Sequence, residues 1–434
     1  MLGLALGVAV LVGVVAGVGR ATVLDLLAPA DVRGNPSDFM ALSSPGREIS
    51  TALPPRLRRV TPWPTWGLTP QRTRYAGLKL RPPFKVAWTL HAGAMIELPP
   101  ALGYGRLYFG THAGTFIASS AKTGRTVWAR RLRHCIAAAP ELAGGVVYIA
   151  LMGPAPCRPH QEGDRGGVIA LNANTGRSLW MFRTGVVESS PLLVGRLLYV
   201  ASYTSRSASS ILAIDVRTHH VRWSFRVHSK IAGSLALFDG VVYVGSYGSR
   251  VYALDALTGD TRWIATIDPG LLADFGSSGF YATPSIAYGR VYLGDLGGRE
   301  IALEAGTGKL SWARRIGGRI YSSSAVYRRT VYVGSMDKHT FLALDAATGD
   351  TRWTFTKADG PIIGSPTVLG GLVYFSTLAH TTYALNTQTG TVVWTFPDGE
   401  YSPVIADRHR LYLVGLGRIY GLTPVHGDEK SSAP

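Results

Sequence analysis

Short runs of β-branched and aromatic residues, broken by Gly, Ser and charged residues, recur along the chain from about residue 83 to residue 424. The stretch Val242 to Trp263, VYVGSYGSRVYALDALTGDTRW, shows the pattern most cleanly. Val242 to Ser246 and Val251 to Leu254 have the composition of half-buried strands and are bounded by turn residues. Thr258-Gly259 marks a tight turn, because Gly reaches positive φ without steric cost, and Trp263 opens a further strand. The same Trp returns at Trp88, Trp128, Trp180, Trp223, Trp263, Trp312, Trp353 and Trp394, in steps of 40, 52, 43, 40, 49, 41 and 41 residues. The chain is a repeat array.

A period near forty with several strands per unit predicts an all-β fold, a β-propeller whose blades bury their faces against one another. Phe84 to Thr89 carries a Trp without a preceding Thr-Gly turn, and Leu411 to Leu422 stops before one. Pairing the two ends closes the ring, removes two open sheet edges and gives eight blades. An up-and-down order puts the turn before each Tyr-centred strand on the same face as the Thr-Gly turns. The added loops then fall on the other face: Met152 to Gly166, Thr204 to Ser209 and Asp268 to Tyr281. Loops that elaborate one end of a rigid scaffold are the usual place for binding.

The repeat motif also carries a family likeness. Gly124, Gly176, Gly259, Gly308, Gly349 and Gly390 each follow a Thr and precede a Trp by four residues. This resembles the pyrroloquinoline quinone (PQQ)-like propeller repeat, shared by quinoprotein dehydrogenases and the propeller lipoprotein of the outer-membrane β-barrel assembly machinery. The resemblance spans residues 83 to 424 and extends to Trp63-Pro64-Thr65-Trp66-Gly67, similar to a Trp-Pro lead-in upstream of many such propellers. The quinoprotein relatives imply a cofactor over a Trp floor, a Ca²⁺ ion, an Asp base and a disulfide between adjacent cysteines. Here the cysteines stand at 135 and 157, and no Asp-base and Ca²⁺-ligand set can be placed on a motif. No Cys follows the amino-terminal apolar segment, so the lipid anchor of the assembly lipoprotein has no attachment point there.

Charge and hydropathy place the remainder. Leu2 to Gly19 is 18 apolar residues, near the lower limit for a membrane-spanning helix. Residues 1–20 are expected to be an anchor or a signal segment, with Ala28-Pro29-Ala30 as a late cleavage site in the second case. Ala28 to Lys85 holds ten prolines and ten basic against three acidic residues, a net +7 of the chain's +17, so 21–82 reads as a basic linker attracted to anionic headgroups or wall phosphates. Residues 83–427 form the propeller and 428–434 a polar tail. No helix-turn-helix, RNA-recognition or zinc-finger pattern accompanies the charge, which argues against nucleic acid.

Cys135 and Cys157 both fall on the elaborated face of one blade and are expected to form a disulfide in an exported chain. Aligning the blades on their Tyr strands places one residue each at the channel mouth: Glu97, Ala137, Glu188, Ala232, Tyr281, Tyr321, Ile363, and Tyr401 or Glu400. Glu97, Glu188, Tyr281, Tyr321 and Tyr401 make a polar, aromatic rim suited to a cation, a sugar or a peptide end. Catalytic and metal-binding motifs are absent, and the histidines lack ligand spacing. The expected function is therefore a non-enzymatic, membrane-tethered scaffold outside the cytoplasm, single-pass or secreted after cleavage, that binds a protein or cell-envelope polymer without a cofactor. The alternative is a PQQ- and calcium-dependent alcohol or sugar dehydrogenase.

Overall fold

The computed structural model describes residues 31–35, 61–268, 279–401 and 404–425. Eight sheets stand around a channel, each with four antiparallel strands running from an innermost to an outermost one, consecutive along the chain in seven of the eight. In the first blade the order is Ala101–Gly103, Arg106–Gly110, Thr115–Ser120 and Thr126–Arg131. The Tyr strand is second from the channel and almost fully buried in every blade, because its two faces pack on the two neighbouring sheets. The outer Trp strand is largely exposed, as in Thr126–Arg131, where Trp128 alone is half-buried.

Closure occurs through the two ends. Phe84–His91 is the outer strand of the eighth blade and pairs antiparallel with Arg418–Pro424, behind Leu411–Val414 and the innermost Val404–Ala406. Each of the eight blades thereby has its four strands, and the seam is not left as an open edge.

Each Thr-Gly turn meets the preceding blade. A Cβ built at Gly124, Gly176, Gly259, Gly308, Gly349 or Gly390 would lie 2.5–2.9 Å from a Trp ring of that neighbour. The motif Gly thus answers two demands, a φ near +70° and a close approach to an indole. In the one exception His219 takes φ 62° and lays its own ring 5.0 Å from that of Trp180, replacing the bare Gly contact by an aromatic one.

The Pro-rich stretch departs from the expected linker. From Thr61 to Leu80 it enters the channel on the Thr-Gly face and circles it, bonding to one innermost strand after another. Trp63 pairs with Leu102. The carbonyls of Pro64, Pro70, Gln71, Thr73 and Arg74 then accept from Leu142, Leu237, Ile286, Val326 and Val368 of the second, fourth, fifth, sixth and seventh blades. Tyr75–Ala76 adds a parallel strand to Thr367–Leu369. Innermost strands carry unpaired N–H groups on their channel side, and this segment supplies the carbonyls they need. A proline lacks a donor and keeps its acceptor, so a Pro-rich chain suits the task.

Two arginines hold this plug. Arg72 and Arg74 are fully buried. Arg72 donates to the carbonyls of Leu235 and Trp66, to Pro191 O on the third blade and to Thr65 Oγ1. Arg74 donates to Arg72 O, Ser285 Oγ and Ser324 O. Burial lowers the pKa of Arg72 to about 10 against the pull of Glu141, and lowers that of Arg74 with the help of Arg72. Residues 31–35 also dock: Val32 pairs with Ala313, and Arg33 meets Asp350 at 2.9 Å.

Residues 1–20 and 428–434 lie outside the described residues, as does most of the insertion from Asp268 to Tyr281. Among the described residues no helix is long and apolar enough to cross a membrane.

Candidate functional site

On the face opposite the Thr-Gly turns, the connections entering the eight innermost strands converge on a cavity of about 260 Å³. Its wall contains all eight positions that the Tyr alignment singles out: Glu97, Ala137, Glu188, Ala232, Tyr281, Tyr321, Ile363 and Tyr401. Tyr401, not Glu400, is the aligned residue of the last blade. A constant offset before each buried Tyr explains the convergence, since a propeller turns equal sequence positions into equal heights around one axis. Ser234, Thr283, Ser323 and Ser365 lie deeper, and the hydroxyl of each accepts a backbone N–H from the preceding blade, donated by Ser190, Ser234, Thr283 and Ser323 in turn. Trp66 of the plug closes the bottom.

The rim groups are engaged with one another. Glu97 Oε2 accepts from His112 Nε2 at 2.8 Å. Glu188 Oε2 accepts from Tyr203 Oη at 3.0 Å and from Lys230 Nζ at 2.9 Å. The same ammonium stands 4.6 Å from the centre of the Tyr203 ring and 5.6 Å from that of Tyr247. Tyr281 packs edge-on between Tyr247 and Tyr321, with centroids 6.5 and 5.3 Å away. Burial, then the charges of Glu188 and Glu97, hold the Tyr281 hydroxyl protonated far above the ordinary range. Burial and the nearby Glu400 and Glu97 push Tyr401 up to about 12. Burial also raises Glu400, against the attraction of His380.

His112, Tyr203, Lys230 and Tyr247 escaped the sequence reading, and Trp66 entered it only as part of the lead-in, not as a site residue. His112, Tyr203 and Tyr247 all stand four places after the buried Tyr of their blades, so the alignment that found the first ring also contained the second. Trp66 could not be found in this way, because it belongs to no repeat.

The two insertions among the described residues, Met152 to Gly166 and Thr204 to Ser209, stand on the face the topology assigns them. Cys135, on the connection into the second blade, is bonded to Cys157 in that blade's added loop, with Cα atoms 4.7 Å apart. The loop is further tied by Arg158 to Asp164 at 2.7 Å and by His160 to the carbonyl of Thr204 at 3.1 Å. The Thr204 insertion is a lengthened hairpin, Leu197–Ser205 with Ala208–Asp215, and that lengthening carries Tyr203 over Glu188.

The Thr-Gly face has a cavity as well, about 800 Å³, between the plug and the inner edges of the second and third blades. Prolines, Leu68, Leu142, Leu193 and Val194 dominate it, and Glu141 is its buried charge. Burial raises Glu141 to about 8 although Arg72, Thr65 and the backbone of Leu193 favour its ionised form.

Fold and mouth together define an eight-bladed propeller plugged on one face and open on the other. The chain belongs to the PQQ-like repeat family described as outer membrane protein assembly factor BamB, whose profile matches residues 85–202, 160–269, 207–334, 270–359 and 313–433. BamB of Burkholderia pseudomallei is 24% identical over 352 residues, 78% of this chain and 87% of that protein. Other curated matches are partial. The chain covers 15% of the serine/threonine-protein kinase AfsK of Streptomyces griseus at 34% identity, and 46% of Moranella endobia BamB at 25%. Among solved structures, BamB of Moraxella catarrhalis superposes with a TM-score of 0.63 over 78% of this chain and 99% of that one, at 16% identity. The quinohemoprotein alcohol dehydrogenase of Comamonas testosteroni gives 0.68 over 92% and 84%, at 14% identity. At such identities these likenesses concern the fold.

The quinoprotein relatives make PQQ the group to test against the mouth. It is a tricarboxylic acid and needs cationic partners, yet the cavity wall has two Glu and no Lys or Arg. Lys230, beside the wall, is already neutralised by Glu188. Among the described residues no three His, Cys, Asp or Glu side chains come together as a metal set. The residues present do not fit the quinone with its calcium ion.

Proposed function

We propose that this protein is a non-enzymatic scaffold that captures a protein or cell-envelope component at the insertion-bearing mouth. We further propose that it works outside the cytoplasm, tethered by its amino-terminal apolar segment and assisted by the basic stretch that follows. The observation that carries the reading is the asymmetry of the channel. One end is crossed by the chain's own Thr61 to Leu80 segment, and the other gathers the two described insertions, the disulfide and Tyr281, Tyr321 and Tyr401. A pocket with convergent polar and aromatic groups on a rigid frame is the default binding site of such a fold. The family's BamB members are named as assembly factors, which agrees with a partner-binding role.

The test is site-specific photo-crosslinking in cells. A photoreactive residue at Tyr321 or Ile363 should capture a partner, and one at Lys122 or Arg177, beside the Thr-Gly turns, should not. Partner capture from the Thr-Gly positions alone would overturn the assignment of the face. Addition of PQQ and Ca²⁺ to the purified protein should give neither a stoichiometric chromophore nor dye-linked alcohol oxidation; turnover would replace the scaffold reading by the dehydrogenase one.

A further inference from the structure

The chain carries 44 Lys and Arg against 27 Asp and Glu, yet the mouth runs against that balance. Its wall offers Glu97 and Glu188 as its charged groups, with Tyr281, Tyr321 and Tyr401 above an indole floor. Glu400 adds a third carboxylate beside Tyr401, and among the described residues its Oε2 has no hydrogen-bond partner while the side chain is nine-tenths buried. Most cations that meet the mouth are paired. Lys230 is held by Glu188, His112 by Glu97, and Arg319, 6.0 Å from the Tyr321 ring, by Asp337 at 2.8 Å; His380 stands near Glu400 and Arg206 near Tyr247. Arg72 and Arg74 lie below, where carbonyls and hydroxyls accept from both and Arg74 stacks 4.7 Å from the Trp66 ring.

The molecule itself shows how this mouth treats an ammonium. Lys230 seats its Nζ on one carboxylate and two tyrosine rings, Glu188 with Tyr203 and Tyr247. Elsewhere on the mouth Glu97 and Glu400 stand with Tyr281, Tyr321 and Tyr401, and among the described wall residues there is no Lys. An aromatic ring attracts a cation through its quadrupole, and a carboxylate in a partly desolvated cleft reinforces it.

We infer that the mouth recognises a lysine side chain presented by the partner, its ammonium seated between Glu97 and the rings of Tyr281, Tyr321 and Tyr401 over Trp66. A cavity of about 260 Å³ admits one such chain and excludes a folded element. The inference rests on the scaffold reading above and specifies its chemistry.

Titration calorimetry and saturation-transfer NMR on the full chain test it with three probes. These are Nα-acetyl-lysine methylamide, its Nε-acetyl derivative and benzene-1,3,5-tricarboxylate. The lysine probe should bind, and acetylation of its amine should weaken binding by about tenfold or more. The tricarboxylate should not compete. Glu97→Gln, which keeps shape and the contact with His112, should weaken the lysine probe by about tenfold and leave the melting temperature unchanged. Lys230→Ala should open the second seat, raising affinity or admitting a second equivalent. Equal binding of the charged and acetylated probes, or preference for the tricarboxylate, overturns the inference. If the probes fail while photo-crosslinks at Tyr321 persist, the scaffold reading stands and the ammonium chemistry alone falls. Loss of both removes the reading beneath it.

Discussion

Tyr292 Oη and Trp312 Nε1 donate to one acceptor, the carbonyl oxygen of Ala346 on the next blade, at 3.1 and 3.0 Å. The same convergence recurs from Tyr108 and Trp128 on Ala173, Tyr199 and Trp223 on Ala256, Tyr243 and Trp263 on Ala305, and Tyr332 and Trp353 on Thr387. In these five blades the repeat residues therefore latch the blade to its successor, using both lone pairs of a carbonyl in the turn that also carries the motif Gly. Tyr292→Phe removes one buried donor and should cost about 1 kcal/mol in urea unfolding. Gly308→Ala should cost more, roughly 1 to 3 kcal/mol, since its Cβ would stand 2.5 Å from the Trp263 ring at φ +74°. A neutral Gly308→Ala would mean that the turn is not held against the indole.

The closing strand gives a graded truncation series. Removal of residues 1–60 should leave the melting temperature of the propeller nearly unchanged. Loss of 1–82 takes away the plug and exposes inner-edge N–H groups, which should lower it. Loss of 1–90 also removes Phe84–His91, opens the edge at Arg418–Pro424 and should give aggregated or poorly folded protein by size-exclusion chromatography. A 1–90 truncation that melts like the whole chain would contradict closure through the two ends.

Thiol titration addresses the compartment. Protein purified from its own host and denatured without reductant should show no free thiol, since Cys135 and Cys157 are bonded. Cys135→Ser with Cys157→Ser should cost about 3 kcal/mol by loop entropy. Two titratable thiols in native material would place the protein in a reducing compartment.

Glu300 is fully buried, with Ser324 Oγ donating to its Oε1 at 2.6 Å. Burial lifts its pKa to about 8, the Ser324 bond opposes the lift, and Asp295 adds to it. The folded state therefore holds a proton that the unfolded chain releases near 4.5. Between about pH 4.5 and pH 8 the native state binds more protons, so stability falls as pH rises through this window, by up to about 1.4 kcal/mol per pH unit. Glu141, also raised to about 8, contributes in the same window, so Glu300→Gln should reduce that slope, not abolish it, in denaturation curves taken at pH 5, 7 and 9. An unchanged slope would assign the dependence to other groups.

At the mouth, Tyr281→Ala and Tyr321→Ala should each weaken partner capture by about 1 to 3 kcal/mol, because a few buried aromatics carry most of the affinity at such surfaces. Melting should change little. Substituting Lys122, Arg177 or Asp260 beside the Thr-Gly turns should change neither quantity. Equal loss from both sets would deny the mouth a special role.

What the sequence determined by itself was periodic. Blade number, closure by Phe84–His91 and the placing of Glu97, Glu188, Tyr281, Tyr321 and Tyr401 in one ring all follow from a fixed strand order repeated along the chain. Once the repeat is recognised, equal offsets from a buried Tyr mean equal positions around the axis. The disulfide between Cys135 and Cys157 was legible for the same reason, since strand order alone assigns both to one face. Tertiary structure decided what has no period. Thr61 to Leu80 reads as basic, Pro-rich linker, yet it circles the channel because the innermost strands leave N–H groups that only a chain inside the ring can reach. Arg72 and Arg74 count in the sequence only toward the charge of that linker, yet they are buried, donating to the carbonyls of Leu235, Pro191 and Ser324 far away in sequence. Whether Lys230 belongs to solvent or to Glu188, Tyr203 and Tyr247 likewise depends on two blades meeting, a contact that local pattern does not encode.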